Sequence, residues 1–172
     1  MPVYHTEIGS VAEYRKGGVE IIDDDPRNYA FSNIFEVAAT SPPYARIAVA
    51  VNEGNVLEAA RCEGVSPYWT CAHDEFVLVM DGEVRIDFID LAEDARAPSD
   101  STGAHELDGA PSGKAMGHII AKKGHMALLP ENCAYRFSAE GVGALLFQTI
   151  AGPATEYRWG QICQTESLGR VL

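Results

Sequence analysis

Three side chains of the kinds that metal ions favour occur at alternate positions: Cys71, His73 and Glu75. On an extended strand, residues two apart point to the same face, so a thiolate, an imidazole and a carboxylate would line one surface. Such a set can bind Fe(II) or Zn(II), with Tyr135 either as a fourth ligand or as a group that contacts the ligands without touching the metal. However, same-face Cβ atoms lie about 6.5–7 Å apart, so bonds of about 2.0–2.3 Å reach all three only if the strand bulges. The alternative interpretation makes His73 an ordinary hydrogen-bonded polar residue.

The sequence around these residues has the pattern of an all-β domain. Phe76–Met80 and Glu83–Ile89 form the clearest predicted hairpin, because apolar and polar residues alternate along its second half. Further β-rich runs, separated by turn residues, are Val19–Ile22, Tyr29–Val37, Tyr44–Val51, Val56–Ala60, Gly117–Ala121, His125–Leu129, Cys133–Ser138 and Val142–Ile150. Short strands at this spacing predict a sandwich or a small barrel.

The length of the chain predicts one domain over residues 1–172, with its strand-rich core at about 17–151. From about residue 91 to residue 114 the composition shifts to Ala, Ser, Gly, Pro and acidic residues. This composition predicts a long, mobile loop inserted between the two halves of the domain. Residues 152–172 are predicted to form a C-terminal tail, with either a short helix or extended chain over 155–165.

Charge and composition exclude several classes of function. A formal net charge of -12 argues against nucleic-acid partners and anionic membranes, because both need clustered Lys and Arg. No run approaches the roughly 18 apolar residues of a membrane span, and the first residues lack the pattern of a signal peptide, so a cytoplasmic location is expected. Cys62, Cys71, Cys133 and Cys163 have no zinc-like spacing, so free buried thiols are expected.

Two stretches of the chain carry a family resemblance. Residues 73–82 read His-Asp-Glu-Phe-Val-Leu-Val-Met-Asp-Gly, and in residues 117–137 a turn at Gly124 leads into a short apolar strand that ends at Pro130. Together they resemble the two motifs of the cupins. The first cupin motif is Gly, five residues, His-x-His, three or four residues, Glu, six residues and Gly, and its last part is matched by Glu75 and Gly82. The resemblance implies a cupin-type jelly-roll barrel (a double-stranded β-helix) with a long inserted loop.

Metal-dependent cupins hold iron, manganese, nickel or zinc with three histidines and one glutamate, and of these four ligands only Glu75 is present here. The histidine positions are occupied by Tyr68 and Thr70, or by Trp69 and Cys71, depending on the gap, and by Tyr135. The resemblance therefore implies no catalytic residue, no cofactor-binding residue and no complete metal site on this chain. The candidates for lining a pocket are Tyr68, Trp69, Glu75 and Tyr135. An ordinary hydrophobic plug in the same space is the alternative.

A chain of this size with an incomplete ligand set resembles the small subunit of the two-component hydroquinone 1,2-dioxygenases. This resemblance implies a hetero-oligomer in which a larger cupin catalytic subunit carries Fe(II), while this chain is non-catalytic and holds no cofactor. Two alternatives stay open. The first is a stand-alone metal dioxygenase that uses Cys71, His73 and Glu75, and the second is a metal-free cupin that binds an aromatic or sugar-like molecule.

Overall fold

A ten-stranded curled sheet is the main element of the fold. The structure is a computed structural model and describes residues 9–13, 18–19, 33–158 and 166–167. In chain order the elements are β1 (Gly18–Val19), α1 (Ile34–Thr40), β2 (Arg46–Asn52), β3 (Asn55–Val65), β4 (Tyr68–Thr70), β5 (Glu75–Asp81), β6 (Glu83–Leu91), a 3-10 helix (Glu93–Ala95), β7 (His105–Leu107), β8 (Gly113–Lys122), β9 (Met126–Leu129), β10 (Cys133–Ile150), β11 (Thr155–Glu156) and β12 (Glu166–Ser167). A separate parallel pair joins β1 to β12. This architecture confirms the predicted all-β, cupin-type jelly-roll class.

The long strand β10 connects the two halves of the curled sheet. Its first half pairs with β4 and β6, and its second half pairs mainly with β3 and β5. The register against β3 shifts between Ala139 and Gly143, and a bulge of this kind bends a strand so that it can pass from one sheet to another. The runs predicted separately at Cys133–Ser138 and Val142–Ile150 are therefore the two halves of one strand.

The two strands of the predicted hairpin are present as β5 and β6, but the hairpin pairing is wrong. Among the described strands, β5 pairs with β9 and with the second half of β10, whereas β6 pairs with β8 and with the first half of β10. Gly82 connects them with φ +83°, a conformation that glycine adopts without steric cost, and the chain passes there from one half of the curled sheet to the other. Val84 and Ile86 are buried, whereas Arg85 between them is exposed. Because β9 pairs with one edge of β5 and β10 with the other, β5 is an interior strand, and Glu75 at its start lies opposite Leu129 of β9.

The helix α1 corrects one prediction. A strand was expected over Tyr29–Val37, but the chain is helical from Ile34, and residues 29–32 lie outside the described residues. The side chain of Asn33 accepts hydrogen bonds from two amides of the first turn, and this capping stabilises a helix that the β-branched and aromatic residues alone would not favour. The buried face of α1, at Val37, packs against Ile47 of β2 and Ala59 of β3.

The segment from 91 to 114 contains more regular structure than the predicted loop. Leu91 ends β6, β7 pairs with β4, and Gly113 already belongs to β8. The backbone of this segment also contacts the chain after β10: a Cβ atom added to Gly152 would lie 2.1 Å from the carbonyl oxygen of Thr102 and 2.6 Å from the Cα atom of Gly103. The stretches between strands are therefore 92–104 and 108–112, and the first of them is held at Gly103.

Replacing Gly152 by alanine is expected to lower the free energy of unfolding by about 1–3 kcal/mol, because the added methyl group forces two backbone segments apart. Urea unfolding followed by fluorescence measures the loss. Gly141→Ala is the matched control, since a Cβ atom at Gly141 has no neighbour within 4 Å. Equal stability of the two variants would contradict the close contact at Gly103.

Most of the buried apolar side chains form one cluster enclosed by the curled sheet, and a smaller cluster lies beneath α1. Cys62, Cys71 and Cys133 are free and buried, as predicted, while Cys163 lies outside the described residues. Within the described ranges, no helix is long and apolar enough to cross a membrane.

Candidate functional site: a buried charged cluster around Glu75

A bend between β4 and β5 brings together the three candidate metal ligands of the sequence. Cys71 and His73 lie in the link between these strands, and Glu75 is the first residue of β5. The expectation that the three lie on one extended strand is therefore wrong, and the bend removes the geometric objection to their convergence. One potential ligand atom from each residue lies within 4.8 Å of those of the other two.

Both carboxylate oxygens of Glu75 already have protein partners. The Nη2 atom of Arg46 lies 2.7 Å from Oε1, and Nη1 lies 3.4 Å from Oε2. The hydroxyl of Tyr135 donates a further hydrogen bond to Oε2. Glu75 is completely buried and Arg46 is only 3% exposed, so the pair is shielded from water. Buried Arg–carboxylate pairs of this bidentate kind are strong and directional.

The opposite side of the guanidinium is equally occupied. The Nε atom of Arg46 lies 2.5 Å from Oε2 of Glu58, whose other oxygen accepts a 2.6 Å hydrogen bond from the hydroxyl of Thr155. The guanidinium carbon lies 4.3 Å from the centre of the Phe147 ring, a cation–π distance. One buried cation therefore holds two buried carboxylates from different strands.

Sequence reasoning missed Arg46 and Glu58, although a weak signal exists for each. Glu58 alternates with Val56 and Ala60 on the inward face of β3, and a carboxylate in such a position needs a buried cation as its partner. Arg46 opens the apolar strand β2. Neither pattern identifies the partner, because pairing depends on contacts that are distant in sequence.

The protonation states follow from burial and from these partners. Burial alone would raise the pKa of Glu75, but the charge and hydrogen bonds of Arg46, helped by Thr149 and Tyr135, hold it at about 2. Burial, and then the negative charge of Glu75, raise the pKa of the Cys71 thiol and of the Tyr135 phenol well above their usual values. At neutral pH, Glu75 is therefore ionised while Cys71 and Tyr135 keep their protons.

The remaining candidates divide between two faces of the sheet. Trp69, Cys71 and Tyr135 all belong to the apolar cluster inside the barrel. The side chain of Tyr68 lies instead beneath the guanidinium of Arg136, whose carbon is 4.7 Å from the ring centre. Thr70 is buried as well. Tyr135, which takes the place of the third histidine in the cupin resemblance, contacts Glu75 directly.

His73 lies at the edge of this cluster, where its Nε2 atom is 3.1 Å from the hydroxyl of Thr149. This contact matches the interpretation of His73 as a hydrogen-bonded polar residue. The geometry as a whole is that of a filled interior, with a guanidinium, two carboxylates, a phenol and a thiol packed against aromatic rings. Its direct physical effect is to join β2, β3, β5 and β10.

No family model and no curated protein matches the chain, but solved structures do. The chain is similar to hydroquinone 1,2-dioxygenase from Sphingomonas sp. TTNP3 with 4-hydroxybenzoate bound, with 54% identity and a TM-score of 0.90 over 96% of this chain and 100% of that chain. It is also similar to hydroquinone 1,2-dioxygenase PnpCD in complex with Cd2+ and 4-hydroxybenzonitrile, with 48% identity and a TM-score of 0.88 over 95% of this chain and 98% of that chain.

Longer chains of the same enzymes share the fold at much lower identity. In the Sphingomonas sp. TTNP3 enzyme in complex with 4-nitrophenol, the matched chain is 15% identical with a TM-score of 0.61, over 83% of this chain but 38% of that chain. In hydroquinone 1,2-dioxygenase PnpCD in complex with Fe3+, the matched chain is 13% identical with a TM-score of 0.59, over 83% of this chain but 40% of that chain. The matches to each enzyme therefore involve two chains of different length.

Proposed function

The chain belongs to the hydroquinone 1,2-dioxygenase family, and from this premise we propose that it is the small, non-catalytic cupin subunit of an iron-dependent ring-cleaving dioxygenase. In this proposal a larger cupin subunit binds Fe(II) and the hydroquinone, and the two chains form a hetero-oligomer in the cytoplasm. The similarity to the whole of one chain and to about two fifths of a longer one supports an assembly of two unequal cupin chains.

The observation that carries the non-catalytic role is the pairing of Glu75 with Arg46. Glu75 is the one metal ligand that the cupin resemblance carries over, and both of its oxygens accept hydrogen bonds from protein groups. Cys71 retains its proton because burial and Glu75 raise its pKa, and a thiol must lose this proton to bind a metal. The donors around Glu75 therefore do not fit a metal ion in their present arrangement, and we assign the iron to the partner.

An apolar row on the outer face of the sheet supports a large protein interface. Leu57, Phe76 and Leu128 lie in register across β3, β5 and β9, and all three are exposed. The exposed Gln148 of β10 lies between Leu57 and Phe76 in this row. Met126 beside them is 65% exposed. Apolar patches of this kind mark contact surfaces. In the proposed assembly this face packs against the larger cupin subunit, where a stable contact buries at least about 1,200 Å².

The test is to express the chain alone and together with a larger cupin subunit of this family, with iron supplied and without a metal-affinity tag. We expect the chain alone to be folded, free of stoichiometric iron and inactive. We expect the joint preparation to contain iron and to consume O2 with hydroquinone. Iron content, oxygen uptake and size-exclusion chromatography measure these outcomes.

The stand-alone alternative is favoured by the proximity of Cys71, His73 and Glu75, and His73→Ala separates it from the proposal. If the partner carries the iron, His73→Ala in the assembled enzyme leaves both the iron content and kcat unchanged. Ring cleavage by the isolated chain, lost together with its iron in His73→Ala, would refute the subunit proposal.

A further inference from the structure

The buried guanidinium of Arg46 and the three clustered donors depend on the same carboxylate. Arg46 binds both oxygens of Glu75. Cys71 and His73 each present a possible ligand atom within 4.8 Å of a Glu75 oxygen and of each other. Thiolate, imidazole and carboxylate together form a donor set that suits Zn(II) and its chemical relatives.

A metal ion and the guanidinium compete for the carboxylate of Glu75, because both of its oxygens already accept hydrogen bonds from protein groups. A metal bound to Glu75 lies about 2.0–2.2 Å from a carboxylate oxygen, and the nearest Arg46 nitrogen is 2.7 Å from one of these oxygens. The two cations would then share one small carboxylate, and like charges held close together repel strongly where water is excluded. Arg46 cannot withdraw easily, because Glu58 and the ring of Phe147 hold it on its other side.

We infer that Arg46 closes a latent transition-metal site formed by Cys71, His73 and Glu75, and that removing its guanidinium opens this site to a divalent ion. The inference rests on the proposed function in one respect, namely that the unaltered chain carries no metal. Without the guanidinium, Glu58 and Glu75 leave buried negative charge around the three donors, so an entering cation replaces the lost charge.

The experiment compares Co2+ binding by the unaltered full chain, by Arg46→Ala and by Arg46→Lys. Co2+ is a suitable probe because a cobalt–thiolate bond gives a characteristic near-ultraviolet absorption that does not depend on activity. We expect close to one Co2+ per chain with this absorption in Arg46→Ala, and loss of the absorption when Cys71→Ser is added. Arg46→Lys is the matched control, since its ammonium group keeps a cation at Glu75 and excludes the metal.

A second variant covers the possibility that Arg46→Ala does not fold. Arg46→Ala with Glu58→Gln retains the three donors but has one buried carboxylate fewer, and Co2+ or Zn2+ is present during its refolding. A folded variant that takes up no Co2+ overturns the inference and leaves the subunit proposal intact. Failure of both variants to fold even with metal also overturns it, because the ion then does not replace the guanidinium. Cobalt–thiolate absorption in the unaltered chain, lost with Cys71→Ser, refutes the metal-free assignment as well.

Discussion

Replacing Arg46 by methionine is expected to lower the free energy of unfolding by about 3–5 kcal/mol, the usual cost of removing one partner from a buried ion pair. Methionine fills much of the same volume, so the loss is mainly electrostatic. Glu58 and Glu75, which are 1% and 0% exposed, would both remain in the interior without a cation. Chemical unfolding of the variant and the unaltered chain, monitored by circular dichroism, measures the difference.

Two controls separate the electrostatic cost from a general effect of substitution. Arg85→Met removes the cation of an exposed pair with Asp87 and should cost no more than about 1 kcal/mol. Arg46→Met combined with Glu58→Gln and Glu75→Gln leaves no uncompensated charge and should recover most of the lost stability. If Arg46→Met is no less stable than Arg85→Met, the buried cluster is not an important stabilising element.

The features that sequence reasoning predicted are those set by local pattern. The existence of β5 and β6 follows from the strand pattern on either side of Asp81 and Gly82, although their pairing with each other was predicted wrongly. The six residues between Glu75 and Gly82 identified the cupin motif. The free thiols at Cys62, Cys71 and Cys133 followed from the absence of paired spacing. The first two of these inferences use residues that are close together in the chain, where the periodicity of side chains along an extended backbone is nearly fixed.

The features that sequence reasoning missed depend on long-range contacts. Arg46 meets its partners Glu75 and Tyr135 across 29 and 89 positions, and no local pattern relates them. The strand predicted over Tyr29–Val37 rests on the β-preference of its residues, but from Ile34 the chain is helical, because capping by Asn33 outweighs that preference. The three donors were expected to converge only if the strand bulges, and no local pattern predicts the bend at His73 that brings them together.

A guanidinium differs from a metal ion in a way that bears on the proposed role. Its charge is spread over a plane whose N–H groups only donate hydrogen bonds, so it has no open position for a substrate or for O2. The Arg46 guanidinium instead fixes Glu58, Glu75 and Tyr135 to one another. In the proposed role, a barrel with this interior contributes stability and an outer surface to the assembly, and the ring-cleaving chemistry belongs to the partner subunit.

Acid is expected to destabilise the protein through Glu75 in a defined window of pH. The pKa of Glu75 is about 2 in the folded chain against 4.5 ordinarily, so its ionised form is favoured by folding. Its contribution, about 3 kcal/mol, is complete above pH 4.5 and is lost progressively as the pH falls from 4.5 towards 2. The groups that face it are Arg46, Thr149, Tyr135, Cys71 and His73, and the charge of Arg46 is the main influence that lowers the pKa of Glu75.

Measuring the free energy of unfolding against pH tests this assignment. Across the window, Glu75→Gln should have a shallower slope than the unaltered chain, by up to one proton or about 1.4 kcal/mol per pH unit, because glutamine does not titrate. Glu63→Gln is the matched control, since Glu63 pairs with Arg61 on the surface with 43% of its side chain exposed. Its slope should stay close to that of the unaltered chain. A slope in Glu75→Gln as steep as in the unaltered chain would mean that other carboxylates control the acid response and that Arg46 does not hold Glu75 ionised.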